Sequence, residues 1–332
     1  MGTVVTTKDD KRYTSYSDLR FRLRLDIAMP ERDKGLRISD DLVNPEKGLD
    51  MDFHIIKTTE LKPIESTIKI YNLTATTYDL IYKYGKEFTL SCAFSDEDYS
   101  IMYRGYPVTS TSHKKDIILT SNQGFMEQDA NAGRRGQNDL ETEITLRNYG
   151  FATLDKTYRK PVNTELIMND CMLALGVPKG EIDTIKHKSL NGYCAKGNVY
   201  NTLNYLGQLL GIDFCINNGT FCAYDKNRKD IKKYGIYLHS GNSAIPERQD
   251  DEFKFHAGRK ATKKKAGRAA TTEYTNKGYM IETRLLPFLQ VGNTVNCDFK
   301  FSDCKGLKYV YKLEHIGSNY AGGQMITRVY CV

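Results

Sequence analysis

The sequence predicts a mainly β fold with an α+β insert, its strands arranged as a β-barrel or sandwich. Three observations carry this expectation. Apolar and polar residues alternate strictly in Leu19–Ile27, in Leu49–Ile56 and again in the last forty or so residues, and a period of two buries one face of a strand. Short polar turns separate these segments, as in barrels and sandwiches. Sustained helical periodicity is concentrated between residues 151 and 234, where the pattern changes character. The expected divisions are an N-terminal arm at 1–18, a first β domain at 19–150, an α+β domain at 151–234 and a second β domain at 235–332 with a basic loop at 250–272.

At 332 residues, 40% hydrophobic and 27% charged, the chain has the length and composition to bury sizeable cores. In the first β domain, Leu19, Phe21, Leu23, Leu25 and Ile27 point one way, and Arg20, Arg22, Arg24 and Asp26 point the other. The three arginines therefore form a stripe on the exposed face. Leu49, Met51, Phe53 and Ile55 repeat the pattern, and a turn at Lys62-Pro63 leads into Ser66–Tyr71. Residues 74–85 read as a short helix closed by Gly85. Phe88, Leu90, Cys92 and Phe94 form the next strand, followed by the acidic turn Asp96-Glu97-Asp98 and by strands near 100–109, 115–121 and 141–147.

In the middle domain, Asn163 or Thr164 caps a helix whose apolar positions 167, 171, 174 and 175 share a face, stopped by Gly176 and Pro178. Asn198 caps a second helix with Val199, Leu203, Leu206 and Leu210 on one stripe, ended by Gly211. Asn218-Gly219 is the two-residue signal of a type I′ hairpin turn and sets Cys215 opposite Cys222. The β pattern returns at 235–240 and continues from Tyr279. Val295, Cys297, Phe299 and Phe301 are expected on one face, as are Leu307, Tyr309, Tyr311 and Leu313.

Net charge is +7, and residues 254–268 carry seven lysines and arginines with no acid. Arg259, Lys260, Lys263, Lys264, Lys265 and Arg268 of this loop admit three readings: a solvated connection, a contact with an acidic partner subunit, or a contact with nucleic-acid phosphates, which clustered cations bind without reading sequence.

No pattern for catalysis emerges. The six histidines lack zinc-ligand spacing, and the eight cysteines include no CxxC pair. No nucleophile elbow or phosphate-binding glycine loop is present. The turn at 96–98 reads as solvated, whereas a general acid of a glycosidase needs a carboxyl raised by burial. No apolar run approaches the roughly 18 residues that cross a bilayer, and no secretory signal opens the chain, so the cysteines are expected as free thiols. Oxidation of the facing pair Cys215 and Cys222 stays open as the alternative. No catalytic, cofactor-binding or metal-binding residue is assigned. The 23 tyrosines and absent tryptophan suit strands and interfaces that are partly wet.

Several segments together resemble the baseplate hub proteins of tailed bacteriophages. They are Leu49–Ile56 with Lys62-Pro63 and Ile70-Tyr71-Asn72-Leu73-Thr74, the helix and hairpin at 198–224, the stretch Leu285-Leu286-Pro287-Phe288-Leu289-Gln290-Val291-Gly292, and His315-Ile316-Gly317 before the last strand. The chain departs from many relatives in having Ser318 where they carry aspartate, no tryptophan on the last strand, and a basic insertion before Tyr279. The resemblance implies two tube-like β-barrel or sandwich domains per chain with an α+β domain between them, in a non-enzymatic, cofactor-free homotrimer presenting six similar barrels, with the face carrying Arg20, Arg22 and Arg24 and the segment after Gly292 as candidate subunit contacts. Such a ring adapts a six-fold tail tube to a three-fold central spike and lets DNA pass. The implied partners are the tail tube protein, the spike, other baseplate or wedge proteins, the tape measure and, transiently, phage DNA. The implied location is the virion tail after assembly in the host cytoplasm. Alternatives are a hexameric distal tail or tube-initiator protein, a peptidoglycan-cleaving tail enzyme, and a DNA-binding protein using the basic loop.

Overall fold

The computed structural model describes residues 21–32, 35–39, 49–59, 61, 64–71, 73–94, 98–108, 117–120, 141–147, 152–225, 236–249, 278–319 and 324–332. It is mainly β with an α+β insert. The first β region comprises β1 (Phe21–Ala28), β2 (Leu36–Ser39), β3 (Met51–Thr58), β4 (Glu65–Tyr71), helix α1 (Ala75–Tyr84), β5 (Glu87–Phe94), β6 (Ser100–Pro107), β7 (Ile117–Thr120) and β8 (Glu141–Arg147). The insert contains β9 (Lys156–Asn163), α2 (Thr164–Leu175), β10 (Lys179–Ile182), β11 (Ser189–Ala195), α3 (Val199–Leu210), β12 (Ile212–Asn217) and β13 (Thr220–Asp225). The last region holds β14 (Ile236–His239), β15 (Glu247–Gln249), β16 (Gly278–Arg284), β17 (Thr294–Asp298), β18 (Lys305–Ser318) and β19 (Met325–Cys331).

The strands of both β regions belong to one 14-stranded sheet, ordered β15-β16-β19-β18-β3-β4-β8-β6-β5-β1-β2, with β7, β14 and β17 attached beside this path. The joint is β18. Its first part, Lys305–Tyr309, pairs with β17, and its second part, Lys312–Ser318, pairs with Asp52–Thr58 of β3. Both partners lie on the same edge. The switch coincides with a bulge at Tyr311: Val310 faces Cys331 of β19, and the next registered pair is Lys312 with Tyr330. The Val310 N–H still donates to Asn293 of the β17 side, while the Tyr311 carbonyl already accepts from Thr59 beyond β3. An extra residue in one strand locally raises twist and re-aims its side chains.

That bulge corrects one expectation. Leu307, Tyr309, Tyr311 and Leu313 do not share a face: Val310 and Leu313 enter one core, while Tyr309 and Tyr311 pack with Tyr330 in a separate cluster. A second correction concerns Phe301. Strand β17 ends at Asp298, so Phe299 stays buried while Phe301 falls in the following turn and is 83% exposed. On α2 the buried residues are Thr164, Ile167, Met168 and Cys171. Ala174 lies at the edge of the face they define and is exposed.

Each region has its own core. Leu23, Leu25, Ile27, Met51, Phe53, Ile55, Ile68, Ile70, Phe88, Leu90 and their neighbours fill the first, with Ile81 of α1 beneath the sheet. The second forms between α2, α3 and one face of the β12–β13 hairpin, namely Phe214, Ile216, Phe221 and Ala223. The opposite face of that hairpin, Cys215, Cys222 and Tyr224, belongs to the third core with β14, β16, β17, β18 and β19. A hairpin buried on both sides agrees with the run IDFCIN/TFCAYD, apolar at eight of its twelve positions.

The helices begin and end where the chain chemistry requires. Thr74, Asn163 and Asn198 each accept a backbone N–H of the first turn with the side-chain oxygen. Gly176 and Gly211 close α2 and α3 in the left-handed region. The Asn218-Gly219 turn has φ of 47° and 75°, as a type I′ turn needs. It docks on the first β region: the Asn218 amide donates to the Ile101 carbonyl at 3.1 Å, and the Arg104 stem lies against Gly219.

Candidate functional site

Three constellations stand out, and none is a catalytic pocket. The first is the arginine stripe of β1. Arg22 and Arg24 alternate with the buried Leu23 and Leu25, as expected, yet their outer face is not bare. The Tyr99 ring lies under both guanidinium groups, 5.0 Å from Arg22 and 4.3 Å from Arg24. Such contacts contribute about 0.5–1 kcal/mol each at half-exposed sites. Asp26 pairs with Arg24 at 2.9 Å and with Arg37 of β2 at 2.6 Å. Beyond lies β2, the last strand on that side of the sheet path. A groove bordered by Met29, Pro30, Gly35, Leu36 and Thr89 runs alongside. The cluster is thus a preformed patch of charge and aromatic surface next to a strand edge, the type of surface that pairs with another chain. Arg20 lies outside the described residues.

The second constellation is the seam between β3 and β18. On one face, Lys57, Ile55, Leu313 and His315 are neighbours in register. Lys57 is 5% exposed and donates to the Gln290 side-chain carbonyl at 2.9 Å. Burial pushes its ammonium down to about 7. His315 is fully buried, with Nδ1 at 2.9 Å from the Thr327 hydroxyl, which also accepts the Leu286 N–H at 2.8 Å. Burial, then the nearby Lys57, hold the imidazole well below its usual range and therefore neutral. Its Nε2 has no hydrogen-bond partner among the described residues. On the other face a charge ladder crosses three strands. Glu282 of β16 pairs with Arg328 of β19 at 3.1 Å, and Arg328 reaches Glu314 of β18 at 3.8 Å. Lys312 and His54 also approach Glu314, at 2.9 and 4.0 Å.

The third was not legible from spacing. Cys297 of β17, Cys304 of the turn before β18 and Cys331 of β19 converge, with all three sulfurs within 4.8 Å of one another and each residue at most 1% exposed. Their separations in sequence carry no ligand motif, and only the pairing of β17, β18 and β19 brings them together. Cys215 and Cys222 are cross-strand partners as expected and, like the others, are free thiols.

The basic residues Arg259, Lys260, Lys263, Lys264, Lys265 and Arg268 lie outside the described residues, as do the arm at 1–18, the turn at Lys62-Pro63 and residues 96 and 97 of the acidic turn. Among the described residues, no helix is long and apolar enough to cross a membrane.

No family model matches the sequence, and no curated protein matches it. Solved structures do. The 43 kDa tail protein of prophage MuSo2 from Shewanella oneidensis superimposes with a TM-score of 0.58 over 93% of this chain and 96% of its own, at 9% identity. The fold is shared with that tail protein. A tail protein from Neisseria meningitidis gives a TM-score of 0.53, covering 94% and 96% of the two chains at 8% identity. A chain of the Francisella PdpA–VgrG complex gives 0.54 at 7% identity, with 95% of this chain matched to 58% of that one. The order of β region, α+β insert and β region is thus shared along nearly the whole chain. At these identities the likeness is one of fold and carries no statement about the side chains of the three constellations.

Proposed function

We propose that the protein is a structural component of a phage tail or related injection machine, acting as a baseplate hub. In this reading three copies form a ring that meets a six-fold tail tube on one side and a three-fold spike on the other, with a bore for DNA. The observation that carries the proposal is the single 14-stranded sheet in which β18 ties both β regions together, in a fold matched over 96% of the length of a tail protein. Two β regions joined through β18, each with its own core, let one chain contribute two wall segments, and a ring closes when such segments meet edge to edge. The role is mechanical, without a reaction of its own. Its partners are the tube protein, the spike and neighbouring baseplate proteins, within the virion after assembly in the host cytoplasm. The loop around Arg259–Arg268 supplies cation contacts to DNA or an acidic partner.

The patch of Arg22, Arg24 and Tyr99 beside the β2 edge is assigned to the subunit contact. Light scattering across a concentration series tests the reading: a trimer, reduced to a monomer in the Arg22→Glu, Arg24→Glu double variant, is expected. A hexamer would favour a tube-initiator role instead. A trimer unchanged by charge reversal would remove the patch from the interface, and clearing of cell-wall suspensions by the purified protein would overturn the non-enzymatic role.

A further inference from the structure

Cys297, Cys304 and Cys331 come from three segments, and the fold holds each one in place independently. Cys297 faces Leu238 of β14 on one side and Gly306 of β18 on the other. Cys331 faces Tyr279 of β16 and Val310 of β18. Their inward aim follows from strand alternation, next to Val295 and Val329. Cys304 has no strand to orient it. It follows the turn at Phe301–Asp303, and its backbone N–H is held by the Ser302 hydroxyl at 3.1 Å, so the sulfur projects into the core while Phe301 projects out.

We propose that these three cysteines form a binding site for a thiophilic divalent cation of the zinc class. Zinc binds thiolates at about 2.3 Å, which puts sulfurs of a tetrahedral site about 3.8 Å apart, so three sulfurs within 4.8 Å close on an ion with shifts of about an ångström or less. Cys297 and Cys331, held in paired strands, lose little freedom on binding, and the Ser302 hydroxyl restrains the backbone at Cys304. Charge also fits. Three thiolates around a divalent ion leave one net negative charge, and Lys308, whose ammonium stands over the Tyr279 ring and acts electrostatically on Cys297 and Cys304, supplies the compensating positive one. Three protein ligands leave one position of a four-coordinate ion for water. The ion would pin the end of β19 to the β17–β18 hairpin, stabilising the last β region without a disulfide.

The test uses the full chain, expressed and purified under reducing conditions without chelator. Elemental analysis is expected to find about one zinc per chain. Cobalt substituted for zinc is expected to give an intense thiolate-to-metal charge-transfer band. The band disappears in Cys304→Ser and survives in Cys194→Ser, whose thiol is exposed on β11. Extraction of zinc from the wild type lowers its thermal midpoint, a readout independent of whether the serine variant folds. A reduced wild-type protein that takes up no cobalt and no zinc overturns the site. So does a charge-transfer band that persists in Cys304→Ser, or a thiol count showing that two of the three sulfurs are joined as a disulfide.

Discussion

Lys57 of β3 and His315 of β18 lie diagonally across the seam that joins the two β regions, both buried on the same face, and Lys57 adds to burial in making a positive charge on His315 unfavourable. Around them sit Thr327 and Gln290, and this polar strip interrupts an otherwise apolar face between the first and third cores. Isolated buried polar groups cost stability, so the strip restricts which register β3 and β18 can adopt more than it strengthens their pairing.

Lys57 gives the seam a pH dependence of defined sign. Its ammonium is depressed from 10.5 to about 7, so between those values the unfolded chain binds the proton and the folded chain does not. Stability therefore rises with pH across that window, by up to about 1.4 kcal/mol per unit, and the penalty is constant below about pH 7. Lys57→Met is expected to remove this slope and to stabilise the protein at pH 7 by a few kcal/mol, on the order of the lost desolvation. Urea unfolding of both proteins at several values from pH 7 to 10 checks it; parallel slopes would refute the assignment.

Thr327 serves two partners at once, accepting from Leu286 and bonding His315. Thr327→Val keeps the shape and leaves two buried polar groups unpaired, at a cost of about 2–4 kcal/mol. Thr327→Ser is expected to recover most of that loss. Thermal unfolding of the pair measures the hydroxyl's share directly.

Gly292 and Gly306 provide a matched comparison. Both have positive φ, 82° and 77°, but a Cβ at 292 would stand 2.3 Å from the Tyr224 ring, whereas at 306 nothing lies within 4 Å. Gly306→Ala is expected to cost about 1–2 kcal/mol from backbone strain alone. Gly292→Ala adds a clash and is expected to cost about 2–5 kcal/mol. Equal denaturation midpoints for the two variants would show that Tyr224 yields freely.

Asn198 caps α3 through its side-chain oxygen to the Tyr200 N–H at 2.9 Å. Asn198→Ala is expected to lower stability by about 1 kcal/mol and Asn198→Asp to retain it. Hydrogen exchange at the first turn of α3 would show whether the loss is local.

Local rules made much of this architecture readable. Alternation found β1, β3 and β5, because each sets every second side chain into the first core. Asparagine before an apolar stripe and glycine after it located α2 and α3 to within a residue, since caps are local chemistry. Asn218-Gly219 set the partner of Cys215, since a two-residue turn leaves no choice of register. Position 311 was beyond such rules: a bulge depends on what the neighbouring strands require, and that reversed the facing of Tyr309 and Tyr311 relative to Leu313. The candidate site divided in the same way. Arg22 and Arg24 were legible as a stripe, but Tyr99, which covers them, sits more than seventy residues away in sequence.

By itself the sequence determined the kind of fold, the turn and register of the 212–225 hairpin and the face on which the arginines stand. Those follow from periodicity and turn chemistry, which act over a few residues. The tertiary structure alone decided that β18 leaves β17 to join β3, that Lys57 and His315 share one buried strip, and that Cys297, Cys304 and Cys331 meet. Each is a contact between segments whose separation no local pattern encodes, brought about by closing one sheet across the first and last parts of the chain.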